Sequence, residues 1–401
     1  MTEPSSKALR MMIVAGEPSG DAHAAALVRA LRDEWGAALE FFGSTGAAMR
    51  AAGVESIVKA DELAIVGLAE IAAALPKFWD AYRRLRRAAL ERKPRAVILV
   101  DWPDFNLRLA HTLHRRGLKI IYYISPQLWA WRSHRVRNIR RDVDLLLTIL
   151  PFEKGWYDER GVRHVEFVGH PLAGEVSAEY GREEFCRRNG LDASRPIVAL
   201  LPGSRHKEFQ KILPPMLDAA SIIHHKRPRV QFVTALAPNR DSAEAEELID
   251  AAKRSGAALP DELRVVHHAT REALAAADAA AITSGTATLE AALTNCPHVI
   301  VYKTSSLNWH TLGRLIDTEH YGLTNLIAGE RLLTELMQED LNGERLANEL
   351  LDLLDEERNS KIRSRLREIA LLLGEGGASK RAARTILQAI EGWKTDLKGK
   401  R

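Results

Sequence analysis

Short unbroken apolar runs alternate along most of this chain with longer stretches in which apolar residues recur every three or four positions. Arg10–Ala15, Ala96–Val100, Lys119–Ile124 and Leu145–Ile149 are runs of the first kind and read as strands. The stretch from about Ala22 to Trp35 is of the second kind, with Leu27, Val28, Leu31 and Trp35 on one helical face. Strands without polar alternation are buried on both faces, which predicts a parallel sheet covered by helices on each side. The pattern lapses from about Pro171 to Arg195, where glycine, proline and charged residues dominate. It resumes at Pro196–Leu201 and continues through Gln231–Ala235, Arg264–His267, Ala279–Ile282 and His298–Tyr302. After about residue 340 only helical spacing remains, ending in Lys380–Trp393. The expectation is an α/β protein of two Rossmann-like doubly wound domains, residues 1–170 and 196–378, facing across a cleft. A hinge at 171–195 joins them, and a C-terminal helix over 379–401 packs back on the first domain.

Composition narrows the function more than the fold. A net charge of +4 argues against a dedicated nucleic-acid binder but leaves room for local basic patches. Cys186 and Cys296 lie far apart in no metal-ligand spacing and read as reduced thiols. Met1–Lys7 is polar and runs straight into a strand, unlike a signal peptide. No apolar run approaches the ~20 residues that span a bilayer, so membrane contact is expected to be peripheral. There is no H-E-x-x-H, no carboxylate cluster and no G-x-S-x-G, so neither a metal site nor a hydrolase elbow is expected.

The candidate chemistry lies in loops after strands. Ile282-Thr-Ser-Gly-Thr-Ala-Thr-Leu-Glu290 runs from an apolar strand into a helix. Free N–H groups at such a junction, with the positive end of the helix dipole, suit phosphate. Ser284, Gly285, Thr286, Ala287 and Thr288 are the candidate contacts, although Ser284 and Thr286 also fit plain helix caps. Glu290 either reaches a ribose hydroxyl or lies on the helix surface. Leu201-Pro-Gly-Ser-Arg205 is a second loop of this kind: Gly203 permits a tight turn, Ser204 offers a hydroxyl and Arg205 can fork onto phosphate. Two such loops in one domain predict pyrophosphate binding. Glu208 is open between a helix acid and a ribose acceptor.

In the first domain, Gly16-Glu-Pro-Ser-Gly-Asp21 lacks the dinucleotide fingerprint, and Glu17 and Asp21 would repel a pyrophosphate. Ser19 and Asp21 read either as helix caps or as partners for sugar hydroxyls. Asp101, in Val100-Asp-Trp-Pro-Asp-Phe-Asn106, falls at a strand end where a carboxylate can take a proton from an attacking hydroxyl. Asp104 fits a helix cap better. Ser125-Pro-Gln-Leu-Trp-Ala-Trp131 is an aromatic loop whose Trp129 suits a sugar or an acyl chain. The following run carries five arginines from Arg132 to Arg141, which is either a solvated helix face or a seat for an acceptor phosphate. Residues 62–90 place Leu68, Ile71, Leu75, Phe78 and Trp79 near Arg83, Arg84, Arg86 and Arg87. Periodicity alone makes this an amphipathic helix over the sheet; a lipid-facing patch is the sharper alternative.

Taken in order, these segments resemble the lipid-A-disaccharide synthase family, bacterial glycosyltransferases of the two-domain GT-B type. The resemblance runs over nearly the whole chain. It rests on Val14-Ala-Gly-Glu-Pro-Ser-Gly-Asp21, Glu62-Leu-Ala-Ile-Val-Gly67, Asp101-Trp-Pro-Asp-Phe-Asn106 and Ser125-Pro-Gln-Leu-Trp-Ala-Trp-Arg132. It continues through Leu150-Pro-Phe-Glu-Lys154, Val168-Gly-His-Pro171, Leu201-Pro-Gly-Ser-Arg205, Ser284–Glu290 and Asn325-Leu-Ile-Ala-Gly329. The chain departs from the family at Phe42-Gly-Ser-Thr-Gly46, where a plainer glycine-rich turn is usual, and at Trp102, where a small residue is common.

The resemblance implies that UDP-2,3-diacylglucosamine donates its sugar to 2,3-diacylglucosamine 1-phosphate with inversion, giving lipid A disaccharide 1-phosphate and UDP without a cofactor. It assigns Asp101 as general base and Glu17 as a second required acid. Arg205, the Ser284 loop, Glu290 and Asn325 fall around the UDP. With acylated substrates, Leu68, Ile71 and Phe78 become a lipid-facing patch. Ser19, Trp129 and Arg132 fall to the acceptor. The enzyme would sit in the cytoplasm, against the cytoplasmic face of the inner membrane. Two other readings stay open: another UDP-N-acetylglucosamine-using GT-B enzyme, transferase or 2-epimerase, and a non-catalytic nucleotide-sugar sensor at a membrane surface.

Overall fold

A computed structural model describes residues 9–35, 38–63, 68–261, 263–304 and 318–398, with the side chains of 63, 68–74 and 394–398 outside the description. Two compact units emerge. The first combines residues 1–171 with 375–401, and the second is residues 172–374.

The first unit holds a seven-stranded parallel sheet. Its strands are β1 (Leu9–Val14), β2 (Leu39–Thr45), β3 (Glu55–Lys59), β4 (Ala96–Val100), β5 (Ile120–Tyr123), β6 (Leu145–Thr148) and β7 (Val165–Phe167). They lie in the order β3-β2-β1-β4-β5-β6-β7. Both faces are buried, as the unbroken apolar runs require. Met11 and Ile13 of β1 join the core under helix Pro18–Trp35, whereas Met12 and Val14 join the core under helices Leu68–Arg92 and Pro103–His114. Helix Ala378–Lys398 completes the first of these cores with Ala382, Ala383, Ile386 and Ile390, all buried. Arg95 donates to the Ile390 carbonyl at 2.9 Å, and Arg384 pairs with Glu34 at 2.9 Å.

The second unit holds β8 (Ile197–Leu201), β9 (Gln231–Leu236), β10 (Arg264–His267), β11 (Ala279–Thr283), β12 (His298–Tyr302) and β13 (Glu335–Met337) in the parallel order β10-β9-β8-β11-β12-β13. The strandless stretch after Pro171 packs into this unit. Helix Arg182–Asn189 buries Phe185 and Cys186, and the Arg182 guanidinium binds Asp278 at 3.0 Å and the carbonyls of Ala276 and Arg195.

Phe42–Gly46, expected as part of a turn, lies mostly within β2. The Gly43 backbone approaches β1 so closely that a Cβ there would meet the Ile13 carbonyl oxygen at 1.8 Å. The register against β3 shifts between Gly43 and Ser44. A glycine marking a bulge looks, in sequence, like a glycine marking a turn.

Candidate active site

Each sheet reverses its strand order once, between β1 and β4 in the first unit and between β8 and β11 in the second. Loops leaving the carboxyl ends of two such neighbours diverge and open a crevice for ligands. Glu17 and Asp101 follow β1 and β4. The Ser204 and Ser284 loops follow β8 and β11. Topology thus makes each pair of candidate loops neighbours, although about eighty residues separate them in sequence.

Asp101 and Trp102 both adopt left-handed backbone conformations, with φ of 48° and 51°. Side chains at such positions cost energy and persist only where surroundings hold them. The Asp101 carbonyl accepts from Asn106 Nδ2 at 2.7 Å and from the buried Tyr122 hydroxyl at 2.6 Å, and its N–H donates to Tyr123 at 3.1 Å. The Trp102 indole stacks on Phe105 at 4.0 Å and 7°. The ring also lies against Gly16, where a Cβ would fall 2.1 Å from it. Locked this way, the Asp101 carboxyl is largely desolvated. Burial first, and then the charge of Glu17, push its pKa above the ordinary carboxylate value, against a smaller pull from the Trp102 N–H. Glu17 and Ser19 are exposed at the start of helix Pro18–Trp35. Asp21 points elsewhere: its carboxylate accepts from the N–H groups of Gly46, Ala48 and Met49 at 2.7–3.2 Å and caps helix Ala47–Ala51.

The aromatic loop after β5 is built on a buried carboxylate. Glu153 accepts from Ser125 Oγ at 2.7 Å, Trp129 Nε1 at 3.1 Å and the N–H groups of Ile149 and Leu150 at 3.1 and 3.0 Å. Burial pushes the Glu153 pKa up, opposed by these donors. Trp129 therefore faces inward, edge-on to Phe152, rather than presenting a stacking face. Arg132 lies over the Trp131 ring at 4.1 Å and pairs with Asp104 at 3.0 Å; Arg135 pairs with the same carboxylate at 2.6 Å. Asp104 thus organises the basic run instead of capping its helix. Phe78 is half-buried, 6.0 Å from Trp102. The side chains of Leu68 and Ile71, and residues 64–67 of the Glu62–Gly67 motif, lie outside the described residues.

In the second unit, Gly203 has φ +100° and packs on Thr283, whose hydroxyl donates to the Leu201 carbonyl at 3.0 Å. Ser204 is exposed, and Asn239 donates to its carbonyl at 3.1 Å. The Arg205 side chain, 78% exposed, reaches Glu208 at 2.9 Å; Glu208 also accepts from Tyr302 at 3.2 Å. Gly285, at φ +151°, precedes helix Thr286–Leu293, and among the described residues no side chain caps that helix. Of its first-turn N–H groups, that of Thr288 donates to the Gly285 carbonyl at 3.1 Å, while those of Thr286 and Ala287 have no carbonyl of the helix to bind. Ser284 donates to the Tyr321 carbonyl at 3.0 Å, so it braces the turn. Glu290 is held by Arg271 at 3.3 Å.

Two residues expected at the nucleotide face inward. Thr288 is fully buried, donating to the Gly285 carbonyl at 2.8 Å. Asn325 is fully buried too, donating to the Leu333 carbonyl and to Glu335, and accepting from the Leu333 N–H. Glu335 in turn accepts from the N–H groups of Tyr321 and Gly322. Asn325 is therefore a strut for the segment that braces Ser284. Tyr122, Asn106, Glu153 and Glu335, which position these loops, went unassigned from sequence. For Asn106 and Glu153 the signal was a polar residue within a motif that offered it no role; Tyr122, in a strand, and Glu335, outside every motif, carried none.

Residues 11–390 match the family described as lipid-A-disaccharide synthetase. The chain belongs to that family. Relatives named lipid-A-disaccharide synthase include one from Trichlorobacter lovleyi, 42% identical over 95% of this chain and 98% of its own length. Another, from Geobacter sulfurreducens, is 41% identical over 97% and 99%. The enzyme is thus a glycosyltransferase of lipid A biosynthesis. Solved structures share the fold at low identity. A UDP-N-acetylglucosamine 2-epimerase from Neisseria meningitidis bound to UDP-GlcNAc superposes with a TM-score of 0.63 at 10% identity, over 95% of this chain and all of the other. The calicheamicin glycosyltransferase CalG4 gives 0.60 at 16%, over 96% and 99%. The GT-B architecture expected from sequence is the one these neighbours share.

Proposed function

We propose that the second unit holds UDP-2,3-diacylglucosamine by its pyrophosphate and that the first unit holds 2,3-diacylglucosamine 1-phosphate with its 6-hydroxyl at Asp101. Asp101 takes the hydroxyl proton as O6 bonds to the donor anomeric carbon. The bond from that carbon to the pyrophosphate oxygen breaks on the opposite face, and UDP leaves with the electron pair. The uncapped first turn at Thr286 and Ala287 and the Arg205 guanidinium take up the growing negative charge, with Gly203, Ser204, Ser284 and Gly285 shaping the cradle. Glu290 accepts from the ribose. Glu17 keeps the Asp101 proton affinity high enough for a base, and Ser19 and Arg132 contact the acceptor.

The observation that carries this reading is the Asp101 carboxyl: desolvated, at a topological switch point, on a left-handed backbone held by Asn106 and Tyr122. Its test is disaccharide formation from the two acylated substrates. Asp101→Ala is expected to lower kcat by roughly 10²–10⁴-fold and to leave UDP affinity nearly unchanged, whereas Arg205→Ala weakens UDP binding. Normal turnover in the first variant removes Asp101 as the base.

We further infer that helix Leu68–Arg92 meets the cytoplasmic face of the inner membrane. No helix among the described residues is long and apolar enough to cross a membrane. Leu68, Ile71, Leu75 and Trp79 recur at helical spacing, and Leu75 and Trp79 are 61% and 56% exposed. Replacing Leu68 and Ile71 by Ser is expected to reduce sedimentation with anionic vesicles; undiminished association would return the helix to a soluble role.

A further inference from the structure

A groove of about 670 Å³ opens within the first unit beside the proposed base. Its floor is helix Pro103–His114, from Trp102 and Phe105 at one end to Thr112 at the other, a run of roughly 15 Å at the α-helical rise. One wall is aromatic. Phe78, Trp79 and Tyr82 of helix Leu68–Arg92 line it, with Trp79 and Tyr82 stacked at 5.4 Å. The opposite wall is basic and comes from Arg135, Asn138 and Arg141. Arg108 rises between them, exposed, with no ion-pair partner among the described residues. Arg135 is spoken for by Asp104, and Arg141 by Asp142. At the far end the Tyr82 and Thr112 hydroxyls meet at 2.5 Å, joining the two helices across the floor.

An apolar slot with one cationic side matches an amphiphile: a hydrocarbon chain against the rings and an anionic head on the arginine side. Its size falls within the ~300–1,000 Å³ of small-molecule sites. Trp102 lines the slot and directly follows Asp101 in the chain, so a chain entering there belongs to the molecule whose hydroxyl Asp101 activates. We propose that this groove holds one acyl chain of the acceptor, with the Tyr82–Thr112 bridge as its far stop and Arg108 and Asn138 as donors to the acceptor phosphate. The proposal rests on the acceptor reading above. It separates two roles on one helix: its start, at Leu68 and Ile71, meets the bilayer, Phe78 and Tyr82 receive a chain drawn out of it, and Leu75 and Trp79, exposed and also lining the groove, stand between the two. The groove thereby makes the enzyme sensitive to acceptor chain length.

The test measures equilibrium binding of 2,3-diacylglucosamine 1-phosphate to the full chain, with matched long-chain and short-chain ligands differing by four methylenes. Thr112→Phe shortens the slot from its far end. It is expected to weaken the long-chain ligand at least tenfold more than the short-chain one, without changing vesicle association. Arg108→Ala is expected to weaken the phosphorylated ligand about tenfold and its dephosphorylated counterpart little. Equal losses for both chain lengths, or an Arg108→Ala effect independent of the phosphate, would overturn the proposal. UDP binding checks that each variant is folded. Because binding is read rather than turnover, a failure of the transfer chemistry leaves the result intact. Wild-type protein that binds the acceptor without forming disaccharide would refute the functional reading and not the groove.

Discussion

Asp101 shows how one residue is made reactive by its neighbours. Two effects raise its pKa, burial and the Glu17 charge, in that order. A base must be ionised to work, so activity is lost as pH falls through that raised value. Glu17→Gln removes the second cause and should move the acidic limb of the kcat/KM profile to lower pH, apart from any loss of maximal rate; an unmoved limb would detach Glu17 from Asp101. Asp101 itself was legible because an apolar run stops on a carboxylate followed by Trp-Pro. What surrounds it was not. Asn106 and Tyr122 act through side-chain directions set by packing, and nothing in Phe-Asn-Leu or Ile-Tyr-Tyr announces those directions. Trp129, Thr288 and Asn325 show the converse: residue types suited to a ligand, turned inward by a buried partner.

At the scale of elements, the loop after β5 depends on the first turn of a later helix. Glu153 reads in sequence as an ordinary first-turn acid, because its four donors come from Ser125, Trp129, Ile149 and Leu150. Glu153→Gln leaves one acceptor oxygen among four donors and turns an NH₂ toward some of them. It is expected to cost about 1–3 kcal/mol and to open residues 125–131 to limited proteolysis; unchanged melting and cleavage would refute the hub. The strands divide in the same way. β4 and β11 are unbroken apolar runs and were plain. β2 is interrupted by exposed Glu40 and by Gly43, while β7 and β13 are three residues each, too short for periodicity to register.

At the scale of the whole molecule, the chain closes its first unit with its own far end. Ile386 and Ile390 lie in the core beneath helix Pro18–Trp35. Ile386→Ala should cost about 2–5 kcal/mol in the first unit, seen in its denaturant midpoint, with UDP affinity retained by the second. Equal weakening of both would mean the units do not fold separately. The sequence patterns carried the doubly wound sheets and the order of the loops. They did not carry contacts such as Arg384 with Glu34, which link residues 350 positions apart.

That late closure has a consequence during synthesis. Between Pro171 and Glu375 the ribosome must produce roughly two hundred residues of the second unit, about 10–40 s at ordinary elongation rates. Throughout that interval the first core lacks Ala382, Ala383, Ile386 and Ile390, and helix Pro18–Trp35 lacks the helix that packs beside it. The nascent first unit therefore offers a sticky apolar stripe to chaperones, and to its own copies on neighbouring ribosomes, until helix Ala378–Lys398 emerges.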